Sequence, residues 1–378
     1  MRYKDWAGYH AVCSYDTCHE REYFAIRESA GLMDVTPLYK YDITGPDAGE
    51  FLAFVTCRNI AALKPGRVTY SAWADPRGKL LDDGTITRLS EDRFRLTAAD
   101  PQLHWFARHA RGFDVEVEDT SRKLATLALQ GPLSRDILRQ VADTDMDAIG
   151  FFRAAQCKVR GVDAVITRTG YTGDLGYEIW VGNDDALTVY DALLEEGRPY
   201  NITPQGLDAL DVARIEAGFL LNGADYHSAA YCMRDHQTHT PYEAGLGWTV
   251  KLDREPFIGQ AALREEKARG HAWDFVGIEV SWEEIEAVYT EFGLPPGLSS
   301  SACRIPVPLY HGNTQVGYAS STVWSPLLKR YIGLATVQSK YAVTGGRLDF
   351  EVLVAQWRRR VGATVCDRPF FDPPRKRS

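Results

Sequence analysis

Apolar positions along this chain keep changing period. Tyr23, Ile26 and Ala30 recur at helical spacing. Thr17-Cys18-His19-Glu20 just before them reads as a capping box, and Gly31 suits the position past the helix end. Ala48–Thr56 and Pro101–Ala110 read as further helices. Leu38–Thr44, Phe94–Ala98 and Val115–Val117 read as strands. Thr203-Pro204 marks a helix start with proline in the first turn. Leu207, Leu210, Ala213 and Ala217 supply that helix's apolar face, and Gly218 its stop. No βαβ rhythm and no fixed repeat run through the chain.

Glu291–Ala302 holds Pro295-Pro296-Gly297 and Ser299-Ser300-Ser301, and reads as a loop or insertion. Closely spaced strand signals follow at Val307–Tyr310, Gln315–Ala319, Ile332–Val337, Arg347–Val354 and Gln356–Val361. They predict a small all-β C-terminal domain. A chain of 378 residues predicts two or three packed domains. We place the division at 1–265 and 266–378.

Two polar stretches interrupt apolar runs in informative ways. Thr167-Arg168-Thr169-Gly170-Tyr171-Thr172-Gly173-Asp174-Leu175-Gly176-Tyr177-Glu178 joins Ala164-Val165-Ile166 to Ile179-Trp180-Val181. Its glycines permit positive φ and close backbone approach to a ligand. Glu178 lies where a strand fixes its direction, and a carboxylate can accept two hydrogen bonds from an N–C–N edge such as that of a pterin. The plainer reading is a hairpin turn with a surface Glu. Asp82-Asp83-Gly84, between Lys79-Leu80-Leu81 and Thr85-Ile86-Thr87, is by local preference a hairpin turn.

Composition narrows the function classes. The formal charge of −8 argues against a nucleic-acid scaffold, which would carry a basic stripe. Arg358-Arg359-Arg360 and Arg375-Lys376-Arg377 are too short to alter that. No apolar run reaches the ~18 residues of a spanning helix, and no apolar signal segment follows Met1. Seven cysteines, an odd number without a Cys-x-x-Cys pair, read as reduced thiols of a cytoplasmic protein.

Taken in order, several short motifs resemble the aminomethyltransferase family, the T-protein of the glycine-cleavage system and its relatives. They are Gly31-Leu32-Met33-Asp34-Val35-Thr36, Leu80-Leu81-Asp82-Asp83-Gly84, Leu129-Gln130-Gly131-Pro132, the Arg168–Glu178 loop and Ala213-Arg214-Ile215-Glu216-Ala217-Gly218. Gly245-Leu246-Gly247-Trp248-Thr249-Val250, Phe257-Ile258-Gly259 and Ser320-Ser321-Thr322-Val323-Trp324-Ser325-Pro326 complete the set. The resemblance implies an α+β, three-lobed folate-binding fold around a central channel, closing with a β-barrel-like lobe. It implies tetrahydrofolate as co-substrate. Asp83 would be the catalytic carboxylate at the folate's reactive nitrogens. Tyr70, Tyr171 and Trp248 would line the folate cavity, with Glu178 on the pterin. Each aromatic also has a plain reading as a core residue.

The chain departs from T-proteins twice. Leu210 stands where they carry an arginine that engages folate. The stretch Tyr226–His239 is longer and holds three of nine histidines, where T-proteins have a shorter acidic segment. One reading makes it a metal site of His227, Cys232, His236 and His239, although the spacing matches no usual zinc signature. We assign no metal. Another reading makes it a substrate wall with Tyr226 or His227 as proton donor, and a third a surface loop. The leading functional expectation is a tetrahydrofolate-dependent methyltransferase that demethylates a small O-, N- or S-methyl compound, with no nucleic-acid or membrane partner. The alternative is an aminomethyltransferase served by a lipoylated carrier protein. A non-catalytic folate-binding factor is a third class, but its cysteine-containing motif is absent here.

Overall fold

The computed structural model describes Arg2–Ser378. Met1, first residue of the expected folate-binding region, lies outside the described residues.

Three sheet-based bodies make up the fold, and a central core joins the first of them to the barrel. The first is a five-stranded antiparallel sheet, ordered Val68–Ala74, Leu80–Arg88, Arg93–Ala98, Tyr39–Thr44 and Glu116–Asp119. Helices Ala48–Val55 and Leu103–His109 accompany it, and Phe51, Leu52 and Phe106 join Tyr41, Ile43, Phe94 and Leu96 in its buried core. The second is a six-stranded sheet, ordered Ala154–Val159, Val162–Thr167, Gly176–Gly182, Leu124–Gln130, Gly31–Asp34 and Thr203–Pro204. Helices Ser134–Val141 and Ala186–Gly197 cover one face through Ile137, Leu138, Val189 and Leu193. The third is a closed antiparallel barrel of Trp273–Val280, Arg330–Gln338, Thr314–Ser325, Val307–His311, Arg347–Val354 and Trp357–Cys366. A hairpin, Arg2–Trp6 with Tyr9–Ser14, precedes them. Among the described residues no helix is long and apolar enough to cross a membrane.

Helix His19–Glu28 packs on helix Leu207–Glu216, and both reach the barrel through a core holding Tyr23, Ile26, Val212, Ile215, Val323 and Leu334. Tyr226 belongs to this core. The site described below is therefore anchored where the bodies meet.

Several local expectations give way to tertiary contacts. The helix after Thr17 starts at His19 with Cys18 at its cap and no side-chain capping bond, because the Thr17 hydroxyl turns to Asp16 at 3.1 Å. Gly31 belongs to a strand and not to a helix end. A Cβ there would lie 2.1 Å from Gln205 Oε1, so its lack of a side chain serves packing. Thr203-Pro204 is no helix start. It is an edge strand parallel to Gly31–Leu32, a place where a proline without an N–H fits, and the helix begins at Leu207.

Candidate active site

Asp82-Asp83-Gly84 is not a turn. All three lie inside the strand Leu80–Arg88, with Asp82 opposite Trp73 and Asp83 opposite Ala72. The hairpin is made earlier, at Asp75-Pro76-Arg77-Gly78. There the Asp75 carboxylate accepts the amides of Arg77 and Lys79 at 2.9 Å each, and Gly78 takes a φ of +75°. Gly84 is needed for a different reason. A Cβ would meet the Thr97 carbonyl oxygen at 1.9 Å.

The strand presents two carboxylates to one corner. Asp82 is fully buried. Its Oδ1 accepts from the Asp83 amide at 2.9 Å, Asn222 Nδ2 at 3.1 Å and the Tyr226 hydroxyl at 3.2 Å. Its Oδ2 accepts the amides of Ala99 and Asp100 at 3.1 and 3.0 Å. Asp83 is part-buried and takes one phenol on each oxygen, Tyr70 on Oδ2 and Tyr226 on Oδ1. Asn222 Nδ2 also reaches Asp100 Oδ2 at 2.9 Å. Burial and then the Asp83 charge push the Asp82 carboxyl up. Burial raises Asp83 as well, while the two phenol bonds pull it back. Burial and the adjacent carboxylates push both phenols far above the ordinary tyrosine value, so they stay protonated as donors.

Aromatic faces border this corner. The Trp248 indole stacks on the Tyr70 ring, with centroids 5.8 Å apart and planes at 14°. Trp248 sits on a 3-10 turn, Gly247–Thr249, and is 55% exposed, so it is not a core tryptophan. The Arg58 guanidinium lies 5.5 Å from the Trp248 ring centroid. Tyr171 stacks on Phe219 at 5.6 Å, donates to the Leu220 carbonyl, and is close enough to feel the Asp83 charge.

Glu178 sits on the neighbouring sheet, in the strand Gly176–Gly182, opposite Thr167. Its Oε2 accepts from the Thr169 hydroxyl at 2.8 Å, and burial raises its carboxyl. The glycines before it do not open the backbone toward a ligand. Only Gly173 of the three has positive φ. A Cβ at Gly170 or Gly176 would strike Gln130 Oε1, at 2.0 and 2.2 Å. Gln130 ties the loop together by accepting from Thr172 Oγ1 at 2.9 Å and donating to the Thr169 and Tyr177 carbonyls at 3.3 Å each. A cleft of about 730 Å³ lies on the same face of this strand, lined by Trp180, Arg95, Gln156 and Lys158 among others, but it reaches neither Asp83 nor Tyr226.

The structure thus joins Asp83, Tyr70, Tyr226 and Trp248 in one connected group, with Tyr171 nearby and Glu178 on the adjoining sheet. It does not join His227. That side chain is exposed and makes no side-chain hydrogen bond among the described residues, so the structure places His227 apart from this group. The segment is pinned at Leu80, whose carbonyl accepts the Ala229 amide at 2.9 Å and whose amide reaches the His239 carbonyl at 2.8 Å. Beyond the pins Tyr231 and Met233 are exposed, while His239 is buried against the Tyr318 hydroxyl at 3.1 Å. Among the described residues no three His, Cys, Asp or Glu side chains are grouped to hold a metal. Leu210 packs beside Met33, Val35, Ala128 and Leu207. Asp82, Asn222 and Asp100 were not singled out from sequence as partners of Asp83. Asp82 lay inside the quoted motif, but its contacts with Asn222 and Tyr226 span 140 and 144 positions.

Comparison with known proteins bears on the same regions. The GCVT N-terminal domain matches residues 2–254, and the glycine cleavage T-protein C-terminal barrel domain matches 300–372. An aminomethyltransferase of Bacillus cytotoxicus is 34% identical across 97% of this chain and 93% of its own. One of Caldanaerobacter subterraneus subsp. tengcongensis is 32% identical across 97% and 91%. The trimethylamine-oxide aldolase of Ruegeria pomeroyi is 34% identical across 94% of this chain, which spans only 43% of that relative. The crystal structure of the glycine cleavage system aminomethyltransferase T from Bartonella henselae superposes with a TM-score of 0.83 at 25% identity, covering 98% of this chain and 94% of that one. On these matches the chain belongs to the glycine-cleavage T-protein (aminomethyltransferase) family, and is an enzyme of the transferase class.

Proposed function

We propose that this protein moves the methyl group of a small methylated compound to N5 of tetrahydrofolate. One observation carries the reading: a carboxylate, Asp83, held at both oxygens by phenols and bordered by the Tyr70–Trp248 stack. The residues fit the co-substrate. Glu178 is held by the Thr169 and Thr167 hydroxyls and is a buried acceptor, which suits an N–C–N edge. Trp248, Tyr70 and Tyr171 supply flat faces for a pterin. When bound, tetrahydrofolate supplies N5 as the acceptor of the one-carbon unit. Asp83 would balance positive charge developing beside it and receive the proton released there. A fixed anion does this best where water is excluded. Tyr70 and Tyr226 aim that carboxylate and favour its ionised form against the burial that raises it.

The second reading is transfer of an aminomethyl group from a lipoylated carrier. It is favoured by the relatives named aminomethyltransferase. The Leu210 substitution and the Tyr226–His239 segment support the methyl reading over it. A cytoplasmic site of action belongs to the same proposal, and seven unpaired cysteines suit a reducing compartment.

Calorimetry with tetrahydrofolate tests the co-substrate. Glu178→Gln should weaken binding by ~1.5–3 kcal/mol, the range for a bond to a charged group. Equal affinity removes Glu178 from the pterin site. Ammonia release with a lipoylated carrier, and no methyl transfer from any small compound, would give the second reading the site.

A further inference from the structure

The class of methyl donor is open in the reading above. An ether, an amine and a sulfonium make different demands on the protein. Breaking an ether C–O bond leaves an alkoxide or phenoxide, which needs a proton from a nearby acid. An ammonium or sulfonium leaves as a neutral amine or sulfide and needs none. The question is whether this corner has a proton to give.

Two hydroxyls border Asp83, and both protons are committed. Tyr70 donates to one carboxylate oxygen and Tyr226 to the other. Giving either proton away would strand a carboxylate oxygen and leave a phenolate among carboxylates. Burial and those same carboxylates already make both phenols very weak acids. The histidines offer no replacement. His227 points to solvent. His239 is buried, and its pKa is pushed down to about 4 by burial and the nearby Lys79, so it carries no extra proton near neutral pH. Burial lets Asp82 hold a proton, but all five groups that contact its carboxyl belong to the protein, which closes that proton off from a bound donor.

Charge points the same way. The charges that bear on Asp82 are those of Asp83 and Asp100, and on Asp83 that of Asp100, all of one sign. None of the three makes an ion pair with a lysine or arginine among the described residues, and Asp100 is itself pushed up by burial. The rings nearby are electron-rich. Tyr70 and Trp248 lie stacked, Tyr226 is at hydrogen-bond distance, and Tyr231 is 62% exposed yet feels Asp100 and Asp82. One cation, Arg58, already lies 5.5 Å from the Trp248 ring centroid, and these aromatic faces beside an uncompensated carboxylate recognise a further soft, bulky cation.

We infer that the methyl donor is a cation, a methylated ammonium or a sulfonium, and not a neutral ether, because the hydroxyls around Asp83 are spent on it and its walls are aromatic. This rests on the methyl-transfer reading. In the transfer the C–N or C–S bond breaks, and its electron pair stays on the departing amine or sulfide. The new C–N bond forms to N5 of tetrahydrofolate, which sheds its proton to Asp83 and onward to solvent.

Choline and 3,3-dimethylbutan-1-ol have nearly the same shape and differ in charge, so they serve as probes. Each is titrated into the full-length protein by calorimetry, and tetrahydrofolate affinity is measured on the same preparation. Choline should bind more tightly by about tenfold or more, the scale of a desolvated cation–aromatic contact. The preference should fall in Asp83→Asn. The parent comparison alone decides the matter should that variant fold poorly. Equal affinity for the two probes overturns the inference, as does 5-methyltetrahydrofolate formed from an aryl methyl ether and from no onium compound. A choline preference without tetrahydrofolate binding upholds the cation site and overturns the methyl-transfer reading instead.

Discussion

Two groups of buried carboxylates sit a short way apart and are satisfied by opposite means. Around the helix Leu207–Glu216 four acids, Asp174, Asp211, Glu216 and Asp225, each face an arginine. Arg214 reaches Asp211 at 3.1 Å and Asp225 at 2.6 Å, Arg304 reaches Asp211 at 2.6 Å, Arg27 reaches Glu216 at 2.6 Å, and Arg375 reaches Asp174 at 2.7 Å. Hydroxyls finish the shell, with Ser320 and Ser321 on Asp225 and Tyr23 on Glu216. These residues come from the first helix, the Gly-rich loop, the barrel and the tail, so the balanced network ties the bodies together. In the strand Leu80–Arg88 the acids have phenols, an amide and backbone N–H groups, but no cation. The first arrangement suits a joint. The second holds a charge in reserve, which a ligand can balance.

That contrast can be broken most forcefully at Arg214. Its side chain is fully buried between Asp211 and Asp225. Arg214→Ala leaves Asp225 without a cation and Asp211 with Arg304 alone, and breaking a buried pair from one side typically costs ~3–5 kcal/mol. Chemical denaturation should show a loss of that size. A loss near zero would mean the network does not hold the bodies together.

Asp83→Asn should behave in the reverse sense. It removes a charge that nothing compensates, so stability should hold or rise. Turnover should fall by about 10²–10³-fold, the range for losing one preorganised electrostatic contact, with tetrahydrofolate affinity little changed. Near-parent turnover would reduce Asp83 to a strand residue. The pH dependence sharpens the point. The folded-state pKa of Asp82, at about 8, lies above that of an unfolded aspartate. The folded protein then binds more protons than the unfolded chain between roughly pH 4 and 8. Its stability should therefore fall as pH rises through that window, and Asp83→Asn should flatten the slope. Arg214 keeps its proton throughout and adds no slope of its own.

The same contrast marks how far the sequence could be read. Five of the six barrel strands and the helix after Thr17 were legible, because their apolar periods are set by one buried face each, while the barrel strand Trp273–Val280 went unread. Asp83-Gly84 was illegible as a strand. Its local preference is a turn, and only the Thr97 carbonyl across the sheet shows why glycine stands at 84. Pro204 misled in the same way, since nothing local reveals that it lies on a sheet edge. Asp83 and Glu178 were reached through family resemblance, whereas the phenol that Tyr226 lends to Asp83 comes from 143 positions away. The three-body fold was likewise an implication of resemblance. Chain periodicity by itself allowed several topologies.

Tyr226 and His227 give the finest test, since they are neighbours with opposite surroundings. Tyr226 is 1% exposed, and its hydroxyl contacts both carboxylates. Tyr226→Phe keeps the ring in the central core and removes one donor from Asp83. Without it Asp83 should bind a proton more readily, so turnover should drop by about tenfold, the size of one hydrogen bond to a charged group. Its pH–rate profile should shift upward on the acidic side. His227→Ala alters an exposed side chain with no hydrogen bond among the described residues, and should change turnover less than about twofold. A loss at His227 as large as that at Tyr226 would show that the exposed histidine turns inward during catalysis. It would also restore a proton donor to the site and reopen the case for an ether substrate.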